Sequence, residues 1–402
     1  MFTTYRTLFQ SRGTKGFALA GLLARLALPM TGIGIITLLS QVRGSYGLAG
    51  AVAATFVFIY ALLSPQVSRL VDRFGQRRVL PAAAGLSVLG ILLLVACSYW
   101  QTADWTLFAG AALAGFMPSM SAMVRARWTA VYRGQPQLQT AFALETVLDE
   151  VTFIAGPPIS VGLSVAVLPQ AGPLAAAVLL TIGVLALAVQ VSTEPLVEAD
   201  AANGQGTVSV LRLADVRLLT LLLVAMGVIV GTVDIVSVAF AEQMGMPAAA
   251  SAVLSCYAIG SCLAGLVFGA LKLHTPLRKL LLLGGLATAA TTLPLLLAGN
   301  IVGLAGAVLV AGLFFAPTMI VAMALVERIV PPSKLTEGMT WLLAGLNVGV
   351  AGGAAASGQV VDVLGAKAGF NVALGAGVAV FLVASWGYYR LRDRTEEMSY
   401  SV

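Results

Sequence analysis

Residues 46–99 read YGLAGAVAATFVFIYALLSPQVSRLVDRFGQRRVLPAAAGLSVLGILLLVACSY. Two apolar runs, 46–67 and 79–99, flank an eleven-residue insert, 68–78, that carries four arginines and one aspartate. Each run has about the 20 residues that a helix needs to cross a hydrocarbon core of about 30 Å. Such a run satisfies its own backbone hydrogen bonds only as a helix, because lipid offers no partners. The segment therefore reads as a membrane hairpin with a charged turn.

The same pattern extends along the whole chain. Spans are predicted at 16–40, 46–67, 79–99, 104–124, 139–166 and 173–192, then at 217–240, 247–271, 279–298, 301–326, 338–362 and 368–389. The composition agrees: of 402 residues, 59% are hydrophobic and 10% charged, with a mean hydropathy of +0.95. A soluble chain would carry roughly a quarter charged residues. The run from Gly16 to Leu39 is too long for a signal-peptide core and contains Arg25, so it reads as a retained first span. Cys97, Cys256 and Cys262 lie in apolar runs without metal-ligand spacing, and His274 is the one histidine. No metal site or cofactor is expected.

Basic residues alternate from side to side. Arg6, Arg12, Lys15, Arg69, Arg73, Arg77, Arg78, Arg125, Arg127, Arg133, Arg212 and Arg217 fall on one side, with Lys272, Arg278, Lys279, Arg328, Lys334, Arg390, Arg392 and Arg394. Arg43 and Lys367 fall on the other, and Arg25 within a span. By the positive-inside rule both termini are cytoplasmic, which requires an even number of spans. The net charge of +6 thus reflects topology, and no nucleic-acid partner is expected. The expected setting is the lipid bilayer of a bacterial inner membrane, with the protein functional as a monomer.

The chain also repeats. At a constant offset of 197 residues Ser68 falls on Gly265, Gly115 on Gly312, Leu138 on Leu335 and Gly156 on Gly353. A parallel duplication of this kind marks transporters whose halves rock about a midplane site. Residues 1–192 and 217–402 are expected to form two six-helix bundles. The weakly hydrophobic stretch 193–216, with Glu194, Glu198, Asp200 and Gly204, is expected to link them on the cytoplasmic side.

Two motifs carry a family resemblance. Ser68-Arg-Leu-Val-Asp72-Arg73-Phe-Gly75-Gln-Arg77-Arg78 resembles the cytoplasmic signature of the major facilitator superfamily, Gly-x-Leu-x-Asp-Arg-x-Gly-Arg-Arg, with Ser68 in place of the first glycine. The resemblance implies that Asp72 and Arg73 make charge-assisted bonds across the two halves and hold one conformation shut, with Gly75 and Arg77 in the same gate. The second-half counterpart, Gly265 to Gly269, keeps the glycines and lacks the aspartate. Gly156-Pro157-Pro158, followed by Gly162, resembles the Gly-Pro element of proton-driven antiporters in that superfamily. It implies a bent helix in close contact with the other half. The superfamily's usual arginine within span 4 has no counterpart, since Leu107 to Met120 is uncharged.

Five ionisable residues lie inside predicted spans: Arg25, Glu145, Asp149, Glu150 and Asp234. Five unpaired central charges would cost roughly 12–17 kcal/mol, at about 2.5–3.5 each, so pairing, protonation or a wet cavity must relieve them. Arg25 and Asp149 both lie about 15 Å from the cytoplasmic edge, at about 1.5 Å per residue. Glu145 and Asp149 share a helix face, and Glu150 points about 100° away. The expectation gives Asp149 and Glu145 to Arg25 and turns Glu150 toward the cavity or the other half. There it would gain and lose a proton as the cavity changes face. Asp149, Glu145 and Arg25 are proton-coupling candidates with Glu150, and Asp234, in the outer part of span 7, is a further one. The repeat partner of Glu150 is Asn347, which is polar without titrating.

Phe116 and Met117 in span 4, and Phe314 and Phe315 in span 10, sit at repeat-related positions and are candidates, with Asn347, to line a substrate cavity. Gly345, Gly349 and Gly353 form a stripe on span 11 for close helix packing, a candidate sliding surface for the rocking motion. The leading expectation is a secondary transporter that exports a small organic compound, such as a drug-like amphiphile, a sugar or a siderophore, in exchange for protons. The alternatives are a proton-coupled importer or uniporter and, in a different class, a non-transporting receptor. An enzyme is not expected, since the spans hold no histidine, and no phosphate-binding loop points to ATP.

Overall fold

The computed structural model describes residues 2–197, 209–246, 249–271 and 275–399. Glu198, Asp200 and Gly204 of the predicted linker, together with Lys272 and His274, lie outside the described residues, as do the side chains of Arg392 and Arg394. The fold is all-helical, with twelve spans in two six-helix bundles. Ten described helical segments are long and apolar enough to cross a membrane: Thr14–Arg43, Leu48–Phe74, Gln76–Tyr99, Ala171–Val189, Ala214–Gln243, Ala249–Ala270, Leu277–Leu297, Ile301–Ile329, Pro332–Leu364 and Ala366–Arg390. They correspond to predicted spans 1–3 and 6–12. Span 5 is the helix Gln137–Ala166, which carries Glu145, Asp149 and Glu150 within it. Span 4 is a broken helix, Asp104–Ala114 followed by Met120–Tyr132.

Both interruptions in the first bundle have local causes. In span 1 the helices Thr14–Arg25 and Ala27–Arg43 join at Leu26. Pro29 has no N–H to give the carbonyl of Arg25, so the helix yields just there. Span 4 breaks across residues 115–119, where Pro118 ends one register and a second helix restarts at Met120. The restart carries span 4 well beyond its predicted end at residue 124. Arg125 and Arg127, counted by the sequence as loop cations, are therefore helical and fully buried.

Spans 7 and 11 make the closest helix pair. A methyl group on Gly231 would meet the carbonyl oxygen of Val350, and one on Gly349 the carbonyl oxygen of Val224. Gly345 and Gly353 press on Thr220 and Val228 in the same seam. The glycine stripe of span 11 thus packs inside its own bundle, and the sliding surface between halves expected from it is not there. Small residues win at this seam because dispersion at close backbone approach, not water exclusion, joins helices in lipid.

The two bundles meet where span 5 packs on spans 8 and 10, and where span 11 packs on spans 2 and 4. Most of the described cross-bundle hydrogen bonds gather at the end where both termini lie, here called the basic end. They form two seams. In one, Asp72 accepts from the backbone N–H groups of Thr336 (3.3 Å) and Glu337 (2.8 Å), at the start of the helix Leu335–Leu364. Ser68 meets the hydroxyl of Thr340 at 2.8 Å beside it. In the other, Tyr5, Gln139 and Thr140 donate to the carbonyls of Leu266 (2.8 Å), Phe268 (3.1 Å) and Gly269 (2.7 Å), in the last turn of span 8. Helix ends leave orphan N–H groups at the start and orphan C=O groups at the finish. The first bundle supplies acceptors to one kind and donors to the other. An Arg133–Glu327 pair at 3.6 Å adds to this closure.

Candidate functional site

Inside the first bundle, the kink of span 1 presents Arg25 to span 5. Its guanidinium pairs with Glu145 and, at 3.0 Å, with Asp149. Arg125 approaches Asp149 from span 4 at 2.8 Å, and the hydroxyl of Ser121, one turn earlier, also donates to Asp149. Trp128 donates its indole N–H to Glu145 at 2.8 Å. The ring of Trp128 is itself boxed by Phe17, at 4.6 Å between centroids, and by Phe9 and Tyr132. Arg25, Glu145 and Arg125 are buried, and 15% of the Asp149 side chain is accessible. Two cations and two carboxylates thus pair in one network, in which Nε of Arg25 and Nε and Nη1 of Arg125 are left without a hydrogen-bond partner.

The expected pairing of Arg25 with Asp149 and Glu145 is present. Arg125 was missed, and with it a span 4 arginine in contact with the acids. The hydropathy boundary at residue 124 hid it, although Trp128 and Tyr132 beyond it are residues that a solvated loop would not need. Arg127 points the other way. It donates to Gln76 (2.7 Å), Thr193 (2.8 Å) and the carbonyls of Leu187 (3.0 Å) and Gln190 (2.7 Å), tying spans 3 and 6 to span 4.

Glu150 lies outside this network. It is half-buried, and the hydroxyl of Ser261 on span 8 donates to it at 2.8 Å across the two bundles. Asp234 on span 7 is exposed, and its charge acts on Glu150. Tyr257 on span 8 lies within charge range of both acids and packs on Phe315, with ring centroids 6.0 Å apart. Of the cavity candidates, Phe315 therefore joins this group. Met117 is buried in the first bundle, Phe116 is half-buried, and Phe314 is 37% exposed with its carbonyl taken by Thr318. Asn347 is half-buried on span 11. No described contact joins these four to Glu150.

At the basic end Asp72 spans the bundles and Arg73 does not. Arg73 is exposed and lies over the ring of Phe74. Beside Asp72 the cation that crosses between bundles is Arg69, 3.5 Å from Glu337. Glu337 is buried and also accepts from Trp341, from Ser209 and, at 3.2 Å, from the N–H of Val210. Arg77 enters through its backbone, donating to Glu194 at 2.9 Å. Gly75 turns the chain there at φ +87, where a side chain would be strained and would crowd Glu194. A cavity of about 560 Å³ between these elements is lined by Asp72, Gln76, Arg133 and Glu194, and not by Glu150 or Asp234.

Gly156 and Pro157 lie in an unbroken helix. A methyl on Gly156 would come within 2.8 Å of Pro29, and Ser160 donates to the carbonyl of Met30 at 2.9 Å. The close contact made by this element is thus with span 1 of the same bundle, and not with the other half as the resemblance implied. Gly162 faces open space.

Twelve spans in two bundles, with a paired charge network buried inside the first, define a polytopic membrane protein of the transporter type. The Major Facilitator Superfamily family model matches residues 17–301 and 235–399, and the chain belongs to that family. Among solved structures it is similar to a bacterial homologue of the iron transporter ferroportin in an outward-facing state (TM-score 0.73, 15% identity, 94% of this chain and 99% of that one). It is also similar to the human organic anion transporter TETRAN (0.72, 15%, 93% and 100%) and to the E. coli fucose:proton symporter (0.68, 14%, 92% and 98%). At such identities the likeness is one of fold. A comparison with curated proteins finds no match.

Proposed function

We propose that this protein is a secondary transporter that works by alternating access and exports a small organic compound in exchange for protons across a bacterial inner membrane. The halves are residues 1–192 and 217–402, joined by 193–216, with the basic end and both termini in the cytoplasm. In this reading the structure is closed to the cytoplasm. The observation that carries proton coupling is the contrast between neighbouring acids. Asp149 is held by two arginines, whereas Glu150 has, among the described residues, only the hydroxyl of Ser261, on the other half. A carboxyl whose sole bond crosses the moving seam changes its surroundings each time the halves rock. Such a group takes up a proton on one side and releases it on the other.

Asp149, Glu145, Arg25 and Arg125 hold the shape of span 5 around that group, and Asp234 is the second titrating carboxyl. Asp72, Gly75 and Arg69 form the gate. Gly156 and Pro157, in an element that resembles that of antiporters, favour export; the fucose:proton symporter shares the fold and is named for the opposite direction.

The test is substrate-driven proton movement in proteoliposomes with a trapped pH dye. Wild type is expected to move protons against cargo, and Glu150→Gln to carry cargo without protons. Normal coupling in Glu150→Gln would remove this residue from the mechanism, and proton-free transport by wild type would refute the exchange.

A further inference from the structure

Resting on the reading that the structure is closed to the cytoplasm, we infer that residues Tyr5 to Ser11 form a strap bolting the two bundles together. Trp128 couples this bolt to the place of Glu145 in the buried charge network. The argument begins with the sequence of the strap. Tyr5, Leu8 and Phe9 stand at i, i+3 and i+4 and so share one helix face. That face is turned inward: Leu8 is buried and Tyr5 and Phe9 are half-buried, while Arg6, Thr7 and Gln10 are exposed. The helix Phe2–Leu8 has 7 residues, too few to hold its form unaided in water. What it touches keeps it in place, and it touches both bundles.

On one side the Tyr5 hydroxyl donates to the carbonyl of Leu266 at 2.8 Å, in the last turn of span 8. Gly269 leaves room for it, since a methyl there would come within 2.7 Å of the phenol oxygen. On the other side the strap rests on span 4. Tyr132 donates to the carbonyl of Leu8 at 2.9 Å. A phenol has one hydrogen, so in the 2.9 Å contact between Ser11 and Tyr132 the serine is the donor. Phe9 meets Trp128 in a T-shaped contact with centroids 6.0 Å apart, and the Tyr132 ring stacks on Trp128 at 5.9 Å. The same indole gives its N–H to Glu145 at 2.8 Å, and Glu145 pairs with Arg25. An unbroken series of contacts thus runs from Leu266 in the second bundle, through Tyr5, the strap and Trp128, to Glu145.

Burial makes the series act as a unit. Leu8, Trp128 and Glu145 are all wholly buried. Close-packed side chains change between discrete arrangements rather than deform smoothly. When the basic end opens, span 8 leaves Tyr5 without its acceptor. The strap and the ring beneath it then resettle together, which withdraws the indole N–H from Glu145. Trp128 is therefore a positioning residue that acts through Glu145, and opening the gate loosens the carboxylate that holds Arg25.

The test is a double-mutant cycle, which isolates coupling between two sites. The probe is Ser68→Cys in the full-length protein, in a background without Cys97, Cys256 and Cys262, and the rate of maleimide labelling reads the opening. Neither cargo nor a proton gradient is needed. Failure of proton exchange in liposomes therefore leaves this result standing, and failure here leaves the role of Glu150 standing. Tyr5→Phe and Trp128→Phe each remove one hydrogen bond and keep a ring. Each is expected to speed labelling about fivefold, the change for a bond of about 1 kcal/mol. The double variant is expected to stay at about fivefold, because a series broken at one end has nothing left to lose at the other. Independent contacts would multiply to about 25-fold, and that result would overturn the inference. Unchanged labelling in either single variant would overturn it too; a lowered melting temperature alone marks an indole that only packs. Should Trp128→Phe fail to fold, Tyr132→Phe cuts the series between strap and indole and is expected to behave alike, singly and with Tyr5→Phe. Gln10→Ala, on the exposed face of the strap, leaves labelling unchanged, and a rise equal to that of Tyr5→Phe would count against the inference.

Discussion

Replacing Asp72 by asparagine should open the basic end. The carboxylate takes two backbone N–H groups, at 2.8 and 3.3 Å, at the first turn of span 11. A hydrogen bond to a charged group contributes about 1.5–3 kcal/mol. A negative charge at a helix N-terminus adds about 0.3–1 kcal/mol. Asparagine keeps one acceptor for the shorter bond but loses the charge, and it turns an NH2 donor toward the longer one. A net loss of about 2 kcal/mol follows, a shift of about 30-fold in the closed-to-open ratio at about 1.4 kcal/mol per factor of ten. Ser68, fully buried in the same seam, reports the opening as Ser68→Cys in a background without Cys97, Cys256 and Cys262. Its maleimide labelling rate follows the open population. The ratio of rates with and without Asp72→Asn removes the effect of the probe itself. Arg73→Ala, an exposed change a residue away, is the control. Equal labelling in the presence and absence of Asp72→Asn, or an equal rise in Arg73→Ala, would refute the reasoning.

Three further outcomes are expected. Arg25→Met strands Glu145 and half of Asp149, a loss of about 3–5 kcal/mol for breaking a buried pair, read as a lower melting temperature in detergent; Arg25→Lys should not restore it, since one ammonium cannot serve two carboxylates as a guanidinium fork does. Gly349→Ala drives a methyl into the carbonyl of Val224 and destabilises by about 1–3 kcal/mol, whereas Gly352→Ala, with nothing within 4 Å, is neutral by the same melting measurement. Tyr5→Phe removes one cross-bundle bond of about 0.5–1.5 kcal/mol and should speed Ser68→Cys labelling severalfold. Burial pushes the Tyr5 phenol up to about 12. Its contribution is thus intact below about pH 10, where an unburied phenol begins to ionise. It is lost as pH rises from there toward 12, so the labelling rate of wild type relative to Tyr5→Phe, a ratio from which the ionisation of the thiol cancels, should hold level to about pH 10 and then climb toward one.

The spans were legible because lipid leaves helices as the only economical form, so hydropathy alone marks them. The pairing of Arg25 with span 5 was legible from depth, since equal distances from one membrane edge put two charges at one level. Depth says nothing of azimuth, and there the sequence fell short. It could not tell that Gly156 looks toward Pro29, or that the span 11 glycines look toward span 7. Hydropathy also misplaced Arg125 and Arg127, because the scale assigns charged residues to water wherever they fall. Local partners, the carboxylate of Asp149 for one and the carbonyls ending span 6 for the other, overrule the scale. Glu337 was invisible for a related reason. Its partners come from three separate stretches, the span 2 loop, the end of the linker and its own helix.

The two seams at the basic end differ in kind. Along span 8 the first bundle offers only uncharged donors, a phenol, an amide and a hydroxyl, to backbone carbonyls. Along span 11 the bonds run through carboxylates and a guanidinium. Salt and moderate acid act on the second and hardly touch the first. The closure is thus a door hung with one hinge that feels the solution and one that does not. Changes in ionic conditions on that face would loosen it along one edge first, so that the opening begins as a tilt rather than a parting.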